Sequence, residues 1–371
     1  MYVTNQKISN RQTFRLFVFD LMGIATLLLP PYLSKLCGMD GLIAIGIGTV
    51  LGFLYLFYVG WIMKKMKTDM VSFLKNNTNA FVEILVYLWV MMHSIFTAGF
   101  CAYVFGNLMQ YSLVKEVSTT TVLFVIVVVA AYAVSGGIES RARVYEVLFW
   151  IILIPYIAMM LASAKDFNPV YIEGFLESSG ADLFKGTYLV FLFVTPLFFS
   201  LFLIREKVKS NERNVVKTIT LALMVSAIIL FGSYVLLIGN FGKNALAAMK
   251  YPVVTIMSTV QFRGNFLKRM DALMLAVWFF TLYALLNLHL HYAVNMFGEL
   301  WQKCRQTTKN RGEKILRVGI PSGIVFFVAY TISSNSDWLW RFIDYYSYVA
   351  VPIMVAGPLF IFLLGRKKNE K

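Results

Sequence analysis

The sequence predicts an all-α integral membrane protein of about ten transmembrane helices, and three observations predict it. Hydrophobic residues make up 59% of the 371 and charged residues 14%, with a mean hydropathy of +0.69, which leaves too little polar surface to cover a soluble globule. Apolar runs of roughly 20 residues, the length that crosses a bilayer as a helix, recur along the whole chain. Charge is confined mostly to the short breaks between them. Hydrocarbon offers no partner to a backbone N–H or C=O, so runs of this length satisfy themselves as helices and are too long for barrel strands.

The runs lie at 13–36, 41–63, 80–109, 119–134, 143–164, 185–204, 215–238, 270–297, 315–332 and 342–364. The chain thus divides into a segment 1–12, a single transmembrane domain 13–364 and a basic tail 365–371. Residues 1–15 are mixed and polar, without the apolar stretch and cleavage site of a signal peptide, so the first run reads as a retained span. With the N-terminus inside and the spans alternating, 24 of the 34 Lys and Arg fall in inner segments, which places both termini in the cytoplasm. The net charge of +15 is then a topology signal in a lipid bilayer and not a nucleic-acid-binding surface. Cys37, Cys101 and Cys304 lie in or beside different spans without ligand spacing and read as small apolar fillers.

Taken in order, Ser9 and Gln12 have the spacing of a capping box and start the first helix. Span one then carries Asp20, about 9 Å from its start at 1.5 Å per residue, within reach of water or of Arg15. Gly23-Ile24-Ala25-Thr26 precedes Leu29-Pro30-Pro31. Pro30 cannot donate to the carbonyl near Thr26, and Gly23 lowers the cost of leaving helical geometry, so span one is expected to be interrupted. An unwound turn there offers N–H groups to a carboxylate and carbonyls to an ammonium; a kink for packing is the other reading. In span two, Gly48 and Gly52 form a GxxxG that admits a close neighbour.

His93 sits midway along span three and reads as a neutral imidazole bonded between helices. Span six has a second break at Thr195-Pro196, where the hydroxyl either bonds a freed carbonyl or faces a ligand. The long outer segment 239–269 has room for a helix starting at Pro252. In span eight, Asn287 is either packing glue or a cavity group, and His289 and His291, two apart, point away from each other and are no metal pair. Spans one and six open two halves, 13–164 and 185–364, of five helices each. An odd number inverts the second half, and breaks at matching positions of inverted repeats point to a central site. No glycine loop ending in Lys, H-E-x-x-H pair or nucleophile with its base appears, so neither an enzyme nor a cofactor is predicted.

Several runs together resemble a known family. Tyr251-Pro252, Phe262, Phe266-Leu267, Arg269, Asp271 and Trp278 resemble the segment leading into span eight of the spore germination permeases, the B-subunit or GerAB-type proteins of endospore-forming bacteria. So do Ile8-Ser9 with Gln12, Gly23 to Pro30, Gly136-Gly137 with Arg143, and the tail Arg366-Lys367-Lys368. The resemblance spans essentially the whole chain. It implies a LeuT-like fold of the amino acid, polyamine and organocation transporter type, with two inverted five-helix repeats and a small ligand between discontinuous helices one and six.

It also implies a germinant-sensing role, usually for an amino acid, in the inner spore membrane beside a membrane A subunit and a lipoprotein C subunit. An amino acid secondary transporter of the same fold is the alternative. Spans three and eight are implied to flank the breaks, so the expected ligand contacts are Gly23, Ile24, Ala25 and Thr26, Ile95 and Ala98, Thr195 and Pro196, and Tyr283 and Asn287. Two positions depart from the pattern: Ala25 replaces the second Gly of span one, and Pro196 and Phe198 stand where Gly and Glu are often found in span six.

Overall fold

Capping and apolar length set the helix boundaries, and the computed structural model describes residues 7–112, 116–172, 174–259, 270–304 and 311–369. Helix α1 is Asn10–Cys37, and its start is the capping box read from the sequence: Gln12 N–H donates to Ser9 Oγ and Ser9 N–H to Gln12 Oε1. A 3₁₀ turn at Gly38–Asp40 reverses the chain into α2, Gly41–Met66. A short α3, Met70–Asn77, begins at an Asp69 cap and leads to α4, Ala80–Ser112. Then follow α5, Thr119–Val134, and α6, Gly137–Ser163. The second half holds α7, Gly180–Phe199, α8, Leu201–Ile204, and α9, Glu212–Ala248, which bends at Gly242 where φ is +72°. It continues with α10, Pro252–Thr259, and α11, Met270–Cys304. Next are α12, Arg311–Ser334, α13, Ser336–Tyr345, a π-helical turn at Tyr346–Ala350, and α14, Val351–Asn369.

Among the described residues, eight helical segments are long and apolar enough to cross a membrane. The first, Asn10–Met66, folds back on itself at the Gly38–Asp40 turn, and Thr119–Val134 is a shorter apolar helix. No strand appears among the described residues beyond one bridge between Ile8 and Val208. The outward faces carry large apolar side chains such as Leu54, Phe57, Ile154 and Phe327, all exposed, as a lipid solvent requires.

Helix α1 lies at the centre, packed on α9, α7, α11 and α6. The expected interruption of span one is absent: α1 is helical from end to end through Pro30 and Pro31. Two contacts explain this. The Thr26 hydroxyl donates to Met22 O at 2.8 Å and tightens the turn before the prolines. Gly23 serves proximity instead of unwinding, because a Cβ there would collide with Thr281 Cβ and Oγ1 of α11. In span six the helix continues past Thr195-Pro196 and stops three residues later at Phe199, with a turn at Ser200 before α8.

Contacts sort the connections onto two faces. On one, Ile8 N–H donates to Lys207 O and Lys209 N–H to Ile8 O, at 2.7 and 2.8 Å. Glu146 takes Gln12, Arg11 and Arg15 there, Arg205 donates to Lys67 O at 2.7 Å, and Lys75 pairs with Glu299 at 2.6 Å. On the other, Ser34 donates to Lys243 O at 2.8 Å, Tyr234 to Gly38 O at 2.5 Å, and Asn168 N–H to Gly239 O at 2.8 Å. The Asp40 carboxylate there holds Leu176 and Ser178 N–H at 2.6 and 2.8 Å.

Candidate ligand site

The turn at Ser200 places the end of α7 against α4 and α11, and polar side chains from all three helices meet there. His93 of α4 and His289 and Tyr292 of α11 line a space of about 10 Å³ with Ser94, Pro196, Phe199 and Ser200. That is room for one water-sized group. The three are only 3%, 4% and 3% exposed. Among the described residues, His93 Nδ1, His289 Nδ1 and the Tyr292 hydroxyl have no hydrogen-bond partner, although that hydroxyl lies beside Ser200. A buried polar atom left unpaired costs about 1–3 kcal/mol, so three around one space mark an unusual spot. The rings form one aromatic cluster: His93 stacks on Trp89 at 5.6 Å, meets His289 edge-on at 6.2 Å, and lies 5.3 Å from Tyr346 of the π turn.

The hydrogen bonding of His93 favours one tautomer. Thr97 Oγ1 donates to His93 O at 2.9 Å, which uses its proton, so at 3.4 Å from His93 Nε2 it acts as acceptor. Nε2 then carries the ring hydrogen, and Nδ1 offers a lone pair. No charged side chain lines the space.

Nearby, Arg141 Nη2 donates to both Asp20 oxygens at 2.6 and 2.8 Å, joining α6 to α1. The pair is buried, with side chains 6% and 3% exposed. Asp20 therefore reaches neither water nor Arg15, which instead donates to Glu146 O at 3.0 Å. The helix containing Arg141 begins at Gly137, six residues before the apolar run expected from 143, because an arginine paired with a carboxylate can be buried where a hydropathy reading places a loop.

The ten residues expected to touch a ligand lie in several different surroundings. Gly23 abuts Thr281; Ile24 and Ala25 are buried in α1; Thr26 Oγ1 accepts from Trp278 Nε1 at 3.5 Å. Ile95 and Ala98 are buried on α4. Thr195 donates to Phe191 O at 2.8 Å, and Pro196 lines the histidine space. Tyr283 and Asn287 turn away from α1, donating at 3.4 Å to Val129 O and Ala130 O of α5. Phe198 is fully buried and stacks on Tyr55, so an aromatic core contact fills the place of the family's common acidic residue. His291 bonds Asn295 at 2.9 Å, one turn along its own helix, and points elsewhere than His289.

Sequence reasoning missed His289 and Tyr292 because helix spacing relates residues within one span only. That His93 and His289 meet depends on the rotation of two helices, which periodicity does not fix.

The helices that cross the membrane and the polar cluster at their centre define a helical membrane protein built on a transporter-type fold. A solved Na+-coupled sialic acid symporter, in a substrate-bound outward-open state, has the same LeuT-like fold: TM-score 0.66 over 96% of this chain and 78% of the symporter, at 11% identity. The profile of the spore germination protein family matches residues 7–339, and the chain belongs to that family. Three Bacillus subtilis (strain 168) proteins are similar to it. Spore germination protein B2 is 22% identical over 282 residues, 75% of each chain. Spore germination protein YndE is 18% identical over the full length of both. Spore germination protein KB is 21% identical over 98% of this chain and 97% of the relative.

Proposed function

We propose that this chain is the germinant-sensing subunit of a spore germinant receptor, crossing the inner spore membrane ten times with both termini in the cytoplasm. A small molecule, an amino acid in the first instance, binds within the helix bundle and favours one helix arrangement, which an A subunit and a lipoprotein C subunit read out. A ligand shifts such an equilibrium only by its differential affinity for the two arrangements. One observation carries the reading: a chain of the spore germination family has the fold of a substrate-binding symporter over 96% of its length. The basic bias of the inner segments supports the orientation.

A thermal-shift screen of the purified protein against amino acids, nucleosides and sugars tests it. A ligand at 100 times its Kd stabilises the folded form by about 2.7 kcal/mol. Spores lacking the chain should lose their response to the same compound. The symporter fold also favours a second reading, amino acid transport. Uptake of the stabilising ligand into proteoliposomes, with germination intact in its absence, would establish transport instead.

A further inference from the structure

Three residues that carry buried, unpaired polar atoms line one space at the turn of span six. His93 Nδ1, His289 Nδ1 and the Tyr292 hydroxyl lack partners there, on residues at least nine-tenths buried. The space, about 10 Å³, holds one oxygen-sized group, and its lining carries no charged side chain. A carboxylate or ammonium would enter without a counter-charge, and a methyl would leave all three polar atoms unpaired. A hydroxyl suits the set: it donates to the lone pair of His93 Nδ1 and accepts from the Tyr292 O–H. The thioether and aromatic alternatives are too large.

We propose that the His93–His289–Tyr292 space is a specificity subsite that takes a neutral hydroxyl of the ligand. This rests on the sensing function proposed above and names the class of ligand it favours: hydroxyl-bearing over the isosteric apolar analogue. The space has room only for the hydroxyl. Pro196 and Ser200, at the turn of span six, border it, so its occupancy bears directly on the segment where the helix stops.

The test uses matched pairs on the purified full-length protein in nanodiscs: L-threonine against L-valine, L-serine against L-alanine, and glucose against 2-deoxyglucose. Within at least one pair that binds, the hydroxyl member is expected to bind about tenfold or more tightly, the usual worth of one buried hydrogen bond to a site built for it. Tyr292→Phe, which keeps the ring, should reduce that ratio to within about threefold. His93→Phe provides a second variant that preserves the stack on Trp89. His289→Asn, which returns an amide near Nδ1, should retain part of the preference. Equal affinities within every binding pair overturn the subsite and leave the sensing function standing. Variants that change the melting temperature of the free protein but not the ratio overturn it too, and assign the space to a resident water. No stabilisation by any compound of the wider screen overturns the sensing function and this subsite together.

Discussion

Asp20 and Arg141 form a buried pair whose two members depend on one another far more than the fold depends on the pair. Taking a charge from water into a bundle core costs several kcal/mol, and here each is repaid mainly by the other. Asp20→Asn leaves the guanidinium buried without its counter-charge and with one acceptor oxygen in place of two, its Nε already without a partner. It is expected to destabilise the protein by about 3–5 kcal/mol, read as a lower unfolding temperature and lower yield in detergent. The double variant Asp20→Leu with Arg141→Met should recover most of that loss, since a packed apolar pair of similar volume is close to neutral. A double variant that folds well and still fails in germination would assign the pair a working role. Residue identities were only half legible in advance: an ionisable residue within span one was visible in the sequence, whereas its partner lay in what reads as a loop. Hydropathy cannot see a charge that is neutralised by a residue 121 positions away.

At the scale of elements, Gly23 and Thr281 decide how closely α1 and α11 approach. Gly23→Ala places a methyl into Thr281, and overpacking of this kind costs about 1–3 kcal/mol. Adding Thr281→Gly removes both colliding atoms and is expected to restore the melting temperature. A Gly23→Ala protein as stable as the parent would mean the two helices can part without penalty. The apolar runs, the Ser9 capping box and the helix beginning at Pro252 were legible because each rests on local chemistry: span length, a hydroxyl at the cap, a missing donor at a first turn. The break in span one was not. Gly and Pro state what the backbone is allowed to do, while neighbouring helices decide what it does, and here α11 and the Thr26 hydroxyl hold α1 straight. The same limit turned Tyr283 and Asn287 toward α5: spacing puts them on one face of α11 but does not say which neighbour that face meets.

For the whole molecule, the hydrogen-bonded contacts put residues 8–15, 67–75, 205–209 and 299 on one face and residues 34–40, 168–178 and 239–243 on the other. On the topology proposed above, which rests on the basic asymmetry, the first face is the cytoplasmic one. A cysteine introduced at Lys75 or Lys209 should therefore resist an impermeant thiol reagent added outside intact cells, and one at Lys165 should react. Labelling from outside at Lys75 would reverse the topology. On that first face Ile8, fully buried, is held on both sides by the backbone of Lys207 and Lys209. Ile8→Ala is expected to cost about 2–5 kcal/mol and to loosen this attachment, seen as faster hydrogen exchange across 205–210. The attachment makes the foot of α1 and the strip beyond Ser200 a single lever. A ligand that tilts the lower part of span six has no separate message to send to span one, because it is already pulling on it.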